Sequence, residues 1–206
     1  LDSGFKDKFR TSLFNNTPEE RINLTERSAA ITKELVDKLF IDYKLLFADL
    51  FEKLPHGIET PIHQHPTFVD ESKYVVYSIW IPLLDTDINS GTFTLVEGSH
   101  KIDAGIRTRQ NSSIEKLKAL DLKFLEPKNV KKGEVIIFDD RLIHGALPNY
   151  SEKIRSALHL VLVPKEAETF YYTSSIIDNK AILNEYSTED HFFDKVNHNQ
   201  EPVFQK

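Results

Sequence analysis

The sequence predicts a mainly β domain, a sandwich or barrel of short strands with helices on its flank, rather than a parallel α/β sheet. Three observations predict it. Short segments rich in Val, Ile, Tyr, Phe and Trp recur between residues 45 and 163, and Gly, Pro, Asn and Asp turns separate them. The one long helical pattern lies upstream of all of them. At 206 residues, with 40% hydrophobic and 28% charged side chains, the chain can bury one core and has the composition of a globular protein.

Taken in order, Thr17-Pro18-Glu19-Glu20 reads as an N-cap followed by proline and acids in a first helical turn. Apolar residues then recur at Ile22, Leu24, Ala29, Ile31, Leu35, Val36, Leu39 and Phe40, a stripe suited to packing on a sheet, with a break expected at Thr25-Glu26-Arg27-Ser28. Strands are expected at Leu45–Leu54 (ending in the turn Pro55-His56-Gly57), Tyr74–Leu83, Thr92–Val96 after Asn89-Ser90-Gly91, Val135–Phe138 after Lys131-Lys132-Gly133-Glu134, and Arg155–Val163. Ile114–Leu122 reads as a short inserted helix. From Glu166 the tail carries Phe170-Tyr171-Tyr172 and His191-Phe192-Phe193 without a readable period, and is expected to pack over the sheet. The chain therefore divides into a helical layer (1–42), a β core (43–165) and a C-terminal extension (166–206) within a single domain, 1–206.

A formal charge of −6 argues against broad nucleic-acid binding, which needs basic surface. No apolar run reaches the roughly 18–20 residues that span a bilayer, and no secretory signal opens the chain, although a start at Leu leaves a trimmed leader open. Cysteine is absent, so a metal must use His, Asp or Glu. The default compartment is the cytoplasm; oligomeric state is not legible.

Of eight histidines, three are informative. His63-Gln64-His65 follows Pro61 and should be extended, so that side chains two apart point to one face and both imidazoles can converge. His144, after the strand Val135–Phe138, is the natural third ligand of a facial site with open positions. His56 falls in a turn, His159 reads as a core or edge histidine of a strand, and His191 and His198 lie in a polar tail. Asp139-Asp140 could orient the His144 ring, although turn acids are commoner.

Five ordered stretches carry a family resemblance: Lys53-Leu54-Pro55 before His63-Gln64-His65; Val69-Asp70-Glu71-Ser72-Lys73-Tyr74 leading into Ile79-Trp80-Ile81-Pro82-Leu83; Gly91-Thr92-Phe93 with Gly98-Ser99-His100-Lys101; Gly133-Glu134-Val135-Ile136-Ile137-Phe138 leading to His144-Gly145; and Pro148-Asn149-Tyr150-Ser151 before Arg155-Ser156-Ala157-Leu158. Together they resemble the phytanoyl-CoA dioxygenase family of iron(II)/2-oxoglutarate oxygenases. The resemblance implies a double-stranded β-helix, the cupin-like jelly roll, and an enzyme that hydroxylates a small organic substrate using Fe(II), 2-oxoglutarate and O2.

It also implies roles for individual residues. In that family a His-x-Asp motif and a distal His hold the metal. His63 and His144 match, whereas His65 stands where the carboxylate is expected. Three arrangements follow: His65 ligates directly, the favoured one; Asp70 or Glu71 supplies the carboxylate, similar to the first motif of the cupins; or the site is degenerate. Arg155, eleven residues after His144, matches the arginine that grips the distal carboxylate of 2-oxoglutarate with a planar, always-charged fork. Trp80 matches a position beside the cosubstrate, or else is a core aromatic. Ala146 replaces a serine common in relatives. Gly98-Ser99-His100 reads as a turn, and His100 is not taken as a ligand. The rival functions are a cupin-like metalloenzyme that does not use 2-oxoglutarate and a non-catalytic jelly-roll module.

Overall fold

The structure is a computed structural model that describes residues 8–102, 105–108, 124–177 and 180–188. The expected helix Ile114–Leu122 and the segment His191-Phe192-Phe193 lie outside the described residues. In chain order the elements are β1 (Phe9–Thr11), α1 (Ser12–Asn15), α2 (Pro18–Leu39), β2 (Tyr43–Lys53), β3 (Thr60–His63), β4 (Tyr77–Pro82), β5 (Phe93–Leu95), a 3-10 turn (Ser99–Lys101), β6 (Glu126–Pro127), β7 (Ile136–Asp139), β8 (His144–Ala146), β9 (Arg155–Pro164), β10 (Phe170–Ile177) and β11 (Lys180–Ser187).

Two antiparallel sheets make a jelly roll. One runs β1-β2-β9-β4-β7, the other β3-β8-β5-β6, and β10-β11 form a separate hairpin. Between the sheets Trp80, Phe138 and Ala157 meet Phe93. The central strand β9 is enclosed on both faces, which explains its unbroken apolar run. Its odd-numbered residues, Arg155 to Val163, share one face with Ser78 and Trp80 of β4; its even-numbered Leu160 and Leu162 pack under α2 with Ala48 and Ile79.

Helix α2 begins as the sequence indicates. Thr17 Oγ1 accepts from Glu20 N and the Glu20 carboxylate accepts from Thr17 N, a complete capping box. The expected break at Thr25–Ser28 does not occur. The expected apolar stripe is buried only in part: Val36 and Phe40 pack on the core, but Ile31 is 80% exposed, and the rest of the inward face carries Arg21, Ser28 and Thr32. Small hydroxyl residues allow close approach, and Thr25 Oγ1 accepts from Ala48 N of β2. Among the described residues no helix is long and apolar enough to cross a membrane.

The C-terminal extension contains strands that its sequence did not reveal. Tyr171 and Ala167 join the buried cluster of Phe47, Phe68 and Val161, so this segment does pack against the β core. The Gly98-Ser99-His100 turn is structural, with Gly98 at φ 75°. Ser99 Oγ accepts from Ile143 N at 2.8 Å, and Val96 N donates to Ile143 O at 2.9 Å, which fixes the approach to His144.

Strand β8 lies between β3 and β5, with His63 directly opposite His144 and a register irregularity between Thr60 and His63. Gly145 makes this approach possible. A Cβ there would sit 2.7 Å from the Thr60 carbonyl oxygen and 3.4 Å from the Ile62 Cα. Gly145→Ala is expected to push β3 from β8 at a cost of about 1–3 kcal/mol. Denaturant melts and metal titration should both register it; unchanged values in both would contradict the tight packing inferred for this pair.

Candidate metal centre

Three imidazoles meet where β3 and β8 pair. One ligand-competent nitrogen from each of His63, His65 and His144 lies within 4.8 Å of the others. The His65 and His144 Nε2 atoms are 3.1 Å apart. Two nitrogens bound at about 2.1 Å and at a right angle would be about 3 Å apart, so this spacing fits neighbouring ligands of one ion. Each Nδ1 has a partner that turns Nε2 inward: Pro61 O at 2.9 Å from His63, Leu142 O at 2.8 Å from His144, and Asp140 Oδ1 at 3.1 Å from His65. With Nδ1 as the donor in all three, the three Nε2 lone pairs face each other.

The surroundings keep the His63 and His144 rings neutral. Burial, then the neighbouring His65, lowers His63 to about 4. Burial followed by His63 and His65 holds His144 well below the usual histidine range. His144 stacks on Phe93 with centroids 5.2 Å apart and contacts Phe138 at 4.8 Å. Strand β3 ends at His63, so His65 lies just beyond it and is held by its own bonds. Its backbone N donates to Asp140 O, and its carbonyl accepts from Arg107 Nε at 2.7 Å.

Asp140 is therefore an orienting residue for His65 and not, as the sequence suggested, for His144. Asp139, the other acid of that pair, is engaged by Arg141. Ser78 and His159 extend the network: Ser78 Oγ donates to Asp140 Oδ1 at 2.5 Å and lies 2.8 Å from His159 Nε2. His159 is therefore a core rather than an edge histidine of its strand, and Ser78 links it to Asp140. Strand alternation was the available signal, since Ser78 shares a face with Trp80, and His159 shares one with Arg155.

On the same inner face, Arg155 opens β9 at 2% exposure, not at an exposed sheet rim. Its Nε and Nη1 have no hydrogen-bond partner among the described residues. Its guanidinium carbon lies 5.7 Å from the centre of the Trp80 ring, and Trp80 packs on Phe93 at 5.6 Å. Lys53 is its cross-strand neighbour, fully buried, and donates to Leu147 O at 2.6 Å. Burial, followed by the adjacent Arg155 charge, lowers Lys53 to about 7; burial lowers Arg155 to about 10. Two adjacent buried cations are costly unless an anion joins them. Strand pairing, which the motif Lys53-Leu54-Pro55 does not reveal, is what brings Lys53 beside Arg155.

The carboxylates proposed as alternatives to His65 are engaged elsewhere. Asp70 bonds Lys73 and Ser72, which hold it down at about 2. Glu71 forms a two-pronged pair with Arg107 at 2.5 and 2.8 Å. Neither belongs to the three-residue cluster, and His100 stands outside it too. A cleft of about 730 Å3 is lined by Thr67, Glu71, His100, Arg107, Arg141 and Tyr172 among others; none of the three histidines lines it, and Arg107, which bonds the His65 carbonyl, is its link to them.

The family model for phytanoyl-CoA dioxygenase (PhyH) matches residues 17–157, about two thirds of the chain. The chain belongs to the phytanoyl-CoA dioxygenase family. All three histidines and Arg155 fall inside the matched span. A phytanoyl-CoA dioxygenase domain-containing protein 1 homolog of Dictyostelium discoideum is 30% identical over 132 residues, 59% of this chain and 47% of that protein. Phytanoyl-CoA dioxygenase 1 of Oryza sativa subsp. japonica is 28% identical over 123 residues, 57% of this chain and 43% of that one. The chain thus spans about half the length of these relatives. Among solved structures, HygX of Streptomyces hygroscopicus, crystallised with nickel, 2-oxoglutarate and hygromycin B, aligns with a TM-score of 0.54 at 17% identity, covering 81% of this chain and 73% of HygX. AviO1 of Streptomyces viridochromogenes aligns at 0.53 and 22%, covering 78% and 68%. At these identities they establish that the family member described here shares their fold.

Burial gives this family member a pH dependence of known sign. His144 and His159 are neutral in the fold, His159 lowered to about 3 by burial and then by His65, whereas an unfolded histidine titrates near 6.5. Below about pH 6.5 the unfolded chain takes up protons that the fold refuses, so stability present at pH 7 is lost as pH falls. Each histidine contributes up to about 1.4 kcal/mol per pH unit. Thermal melts with chelator are expected to show Tm falling from pH 7 to pH 5; a flat Tm would contradict neutral burial.

Proposed function

We propose that this chain is an iron(II)/2-oxoglutarate-dependent oxygenase that hydroxylates a small organic molecule. The observation that carries the proposal is the coexistence, inside one jelly roll, of three convergent imidazoles and a buried guanidinium whose Nε and Nη1 have no hydrogen-bond partner among the described residues. His63, His65 and His144 are the metal ligands in this reading, with Asp70 and Glu71 left outside. Three ligands on one side of an ion leave positions for cosubstrate and O2. Iron held there, with 2-oxoglutarate and O2, supplies the oxidation that converts a substrate C–H bond to C–OH while releasing succinate and CO2.

This chain's residues supply binding, orientation and exclusion of water. Arg155 receives the distal carboxylate of 2-oxoglutarate, and its free Nε and Nη1 suit a two-pronged grip. Lys53, its buried cross-strand neighbour, adds a second positive charge when a bound dianion favours the protonated amine. Trp80 forms an apolar wall beside the guanidinium, and Phe93 with Phe138 shields His144 from water. The cleft lined by Glu71, Arg107 and Arg141 is the proposed substrate entrance, reaching the histidines through Arg107, which bonds the His65 carbonyl, and its mixed charges suit a polar molecule. Residues 1–206 act as one unit in this proposal, with the cytoplasm as the default compartment.

Two measurements test it. Protein loaded anaerobically with Fe(II) is expected to bind one equivalent and, on addition of 2-oxoglutarate and air, to form succinate. Arg155→Met is expected to weaken 2-oxoglutarate binding about 100-fold by calorimetry, the loss of a charge-assisted pair, while leaving Fe(II) uptake intact. Undiminished 2-oxoglutarate affinity in that variant would reject the cosubstrate assignment and favour an enzyme that does without it. Removing metal with a chelator should lower stability by about 2.7 kcal/mol relative to protein held at one hundred times its Kd for the ion. No change in Tm would point to a non-catalytic module.

A further inference from the structure

The three histidines are anchored unequally. The Nδ1 atoms of His63 and His144 rest on the neutral carbonyls of Pro61 and Leu142, whereas that of His65 rests on a carboxylate. That carboxylate, Asp140, is fully buried. Among the described residues no Lys or Arg pairs with it: Arg141 is engaged by Asp139, and the only ion-pair geometry Asp140 makes is with His65. Its Oδ2 has no hydrogen-bond partner among the described residues. A buried anion without a cation is unfavourable, and a positive charge held nearby would compensate it. Three neutral imidazoles, for their part, leave a divalent ion with its full charge.

We infer that Asp140 is the counter-charge of the metal centre, a positioning residue that acts through His65 by polarising its ring toward the ion. The inference rests on the three-histidine reading proposed above. Its geometry is a relay: metal, His65 Nε2, His65 Nδ1–H, Asp140 Oδ1. Ser78 stands outside this relay: it donates to the same oxygen while receiving from His159 Nε2–H and contributes no charge. A carboxylate so placed raises the basicity of the ligand it touches and stabilises the higher charge state of the ion. The arrangement supplies negative charge at one remove, in a ligand set that contains none.

Metal titration of the apo protein with Co(II), and redox titration of the protein loaded anaerobically with Fe(II), read this without turnover. Asp140→Asn keeps the shape and an oxygen acceptor but removes the charge. It is expected to weaken Co(II) binding about 10- to 100-fold and to shift the Fe(III)/Fe(II) midpoint to a more positive potential. Ser78→Ala keeps the charge and removes the hydroxyl; it is expected to bind Co(II) at least as tightly as the wild type, with a midpoint no higher. Wild-type values in Asp140→Asn would overturn the inference. So would a loss in Ser78→Ala equal to that in Asp140→Asn, which would mean that the network matters only for its shape. Should Asp140→Asn fail to fold, Ser78→Ala alone decides: weakened Co(II) binding overturns the inference, and retained binding supports it. A wild-type protein that takes up neither ion instead overturns the three-histidine reading, and this inference with it.

Discussion

The antiparallel pairing of β3 with β8 is the contact on which the site depends. It brings His63 opposite His144 although some eighty residues separate them, and it does so across a close approach that Gly145 permits. Directly opposed positions on neighbouring strands hold their side chains within a few ångströms, so two of the three imidazoles come together as a consequence of sheet register alone. The third cannot, because β3 has ended before His65. That ring is placed by a tertiary contact, its backbone and side chain both bonded to Asp140.

The inner face of the five-stranded sheet is organised by charge as well as by packing. At one end Arg155 and Lys53 bring two buried cations side by side; further along, Asp140 brings a buried anion beside the histidines. Both are unfavourable in isolation, because desolvation of an ion is not recovered without a partner. Each becomes reasonable if a ligand of opposite sign completes it: a dianion at Arg155 and Lys53, a cation at the histidines. The apolar wall of Trp80, Phe93 and Phe138 between them keeps the dielectric low, which strengthens any such pairing.

Much of this was legible in the sequence because it is local. The helix start came from Thr17-Pro18-Glu19-Glu20, which caps itself, and the long strands came from β-branched and aromatic runs bounded by turns. What was misread is non-local. The apolar residues of α2 suggested a stripe, yet the sheet takes the face with Ser28 and Thr32 because β2 needs a close, hydrogen-bonded neighbour there. The short strands β1, β6 and β8 are only two or three residues long and exist because partners are present.

By itself the sequence determined the jelly-roll class and singled out His63, His65, His144 and Arg155 as candidates, through spacing and the ordered stretches of its family. Only the tertiary structure decided that Asp70 and Glu71 are engaged elsewhere, that Lys53 sits beside Arg155, and that Asp140 orients His65 with Ser78 and His159 behind it. The reason is physical. Periodicity reports which face of an element a side chain takes, whereas a hydrogen bond between distant segments depends on register, sheet order and burial, which exist only once the strands have paired.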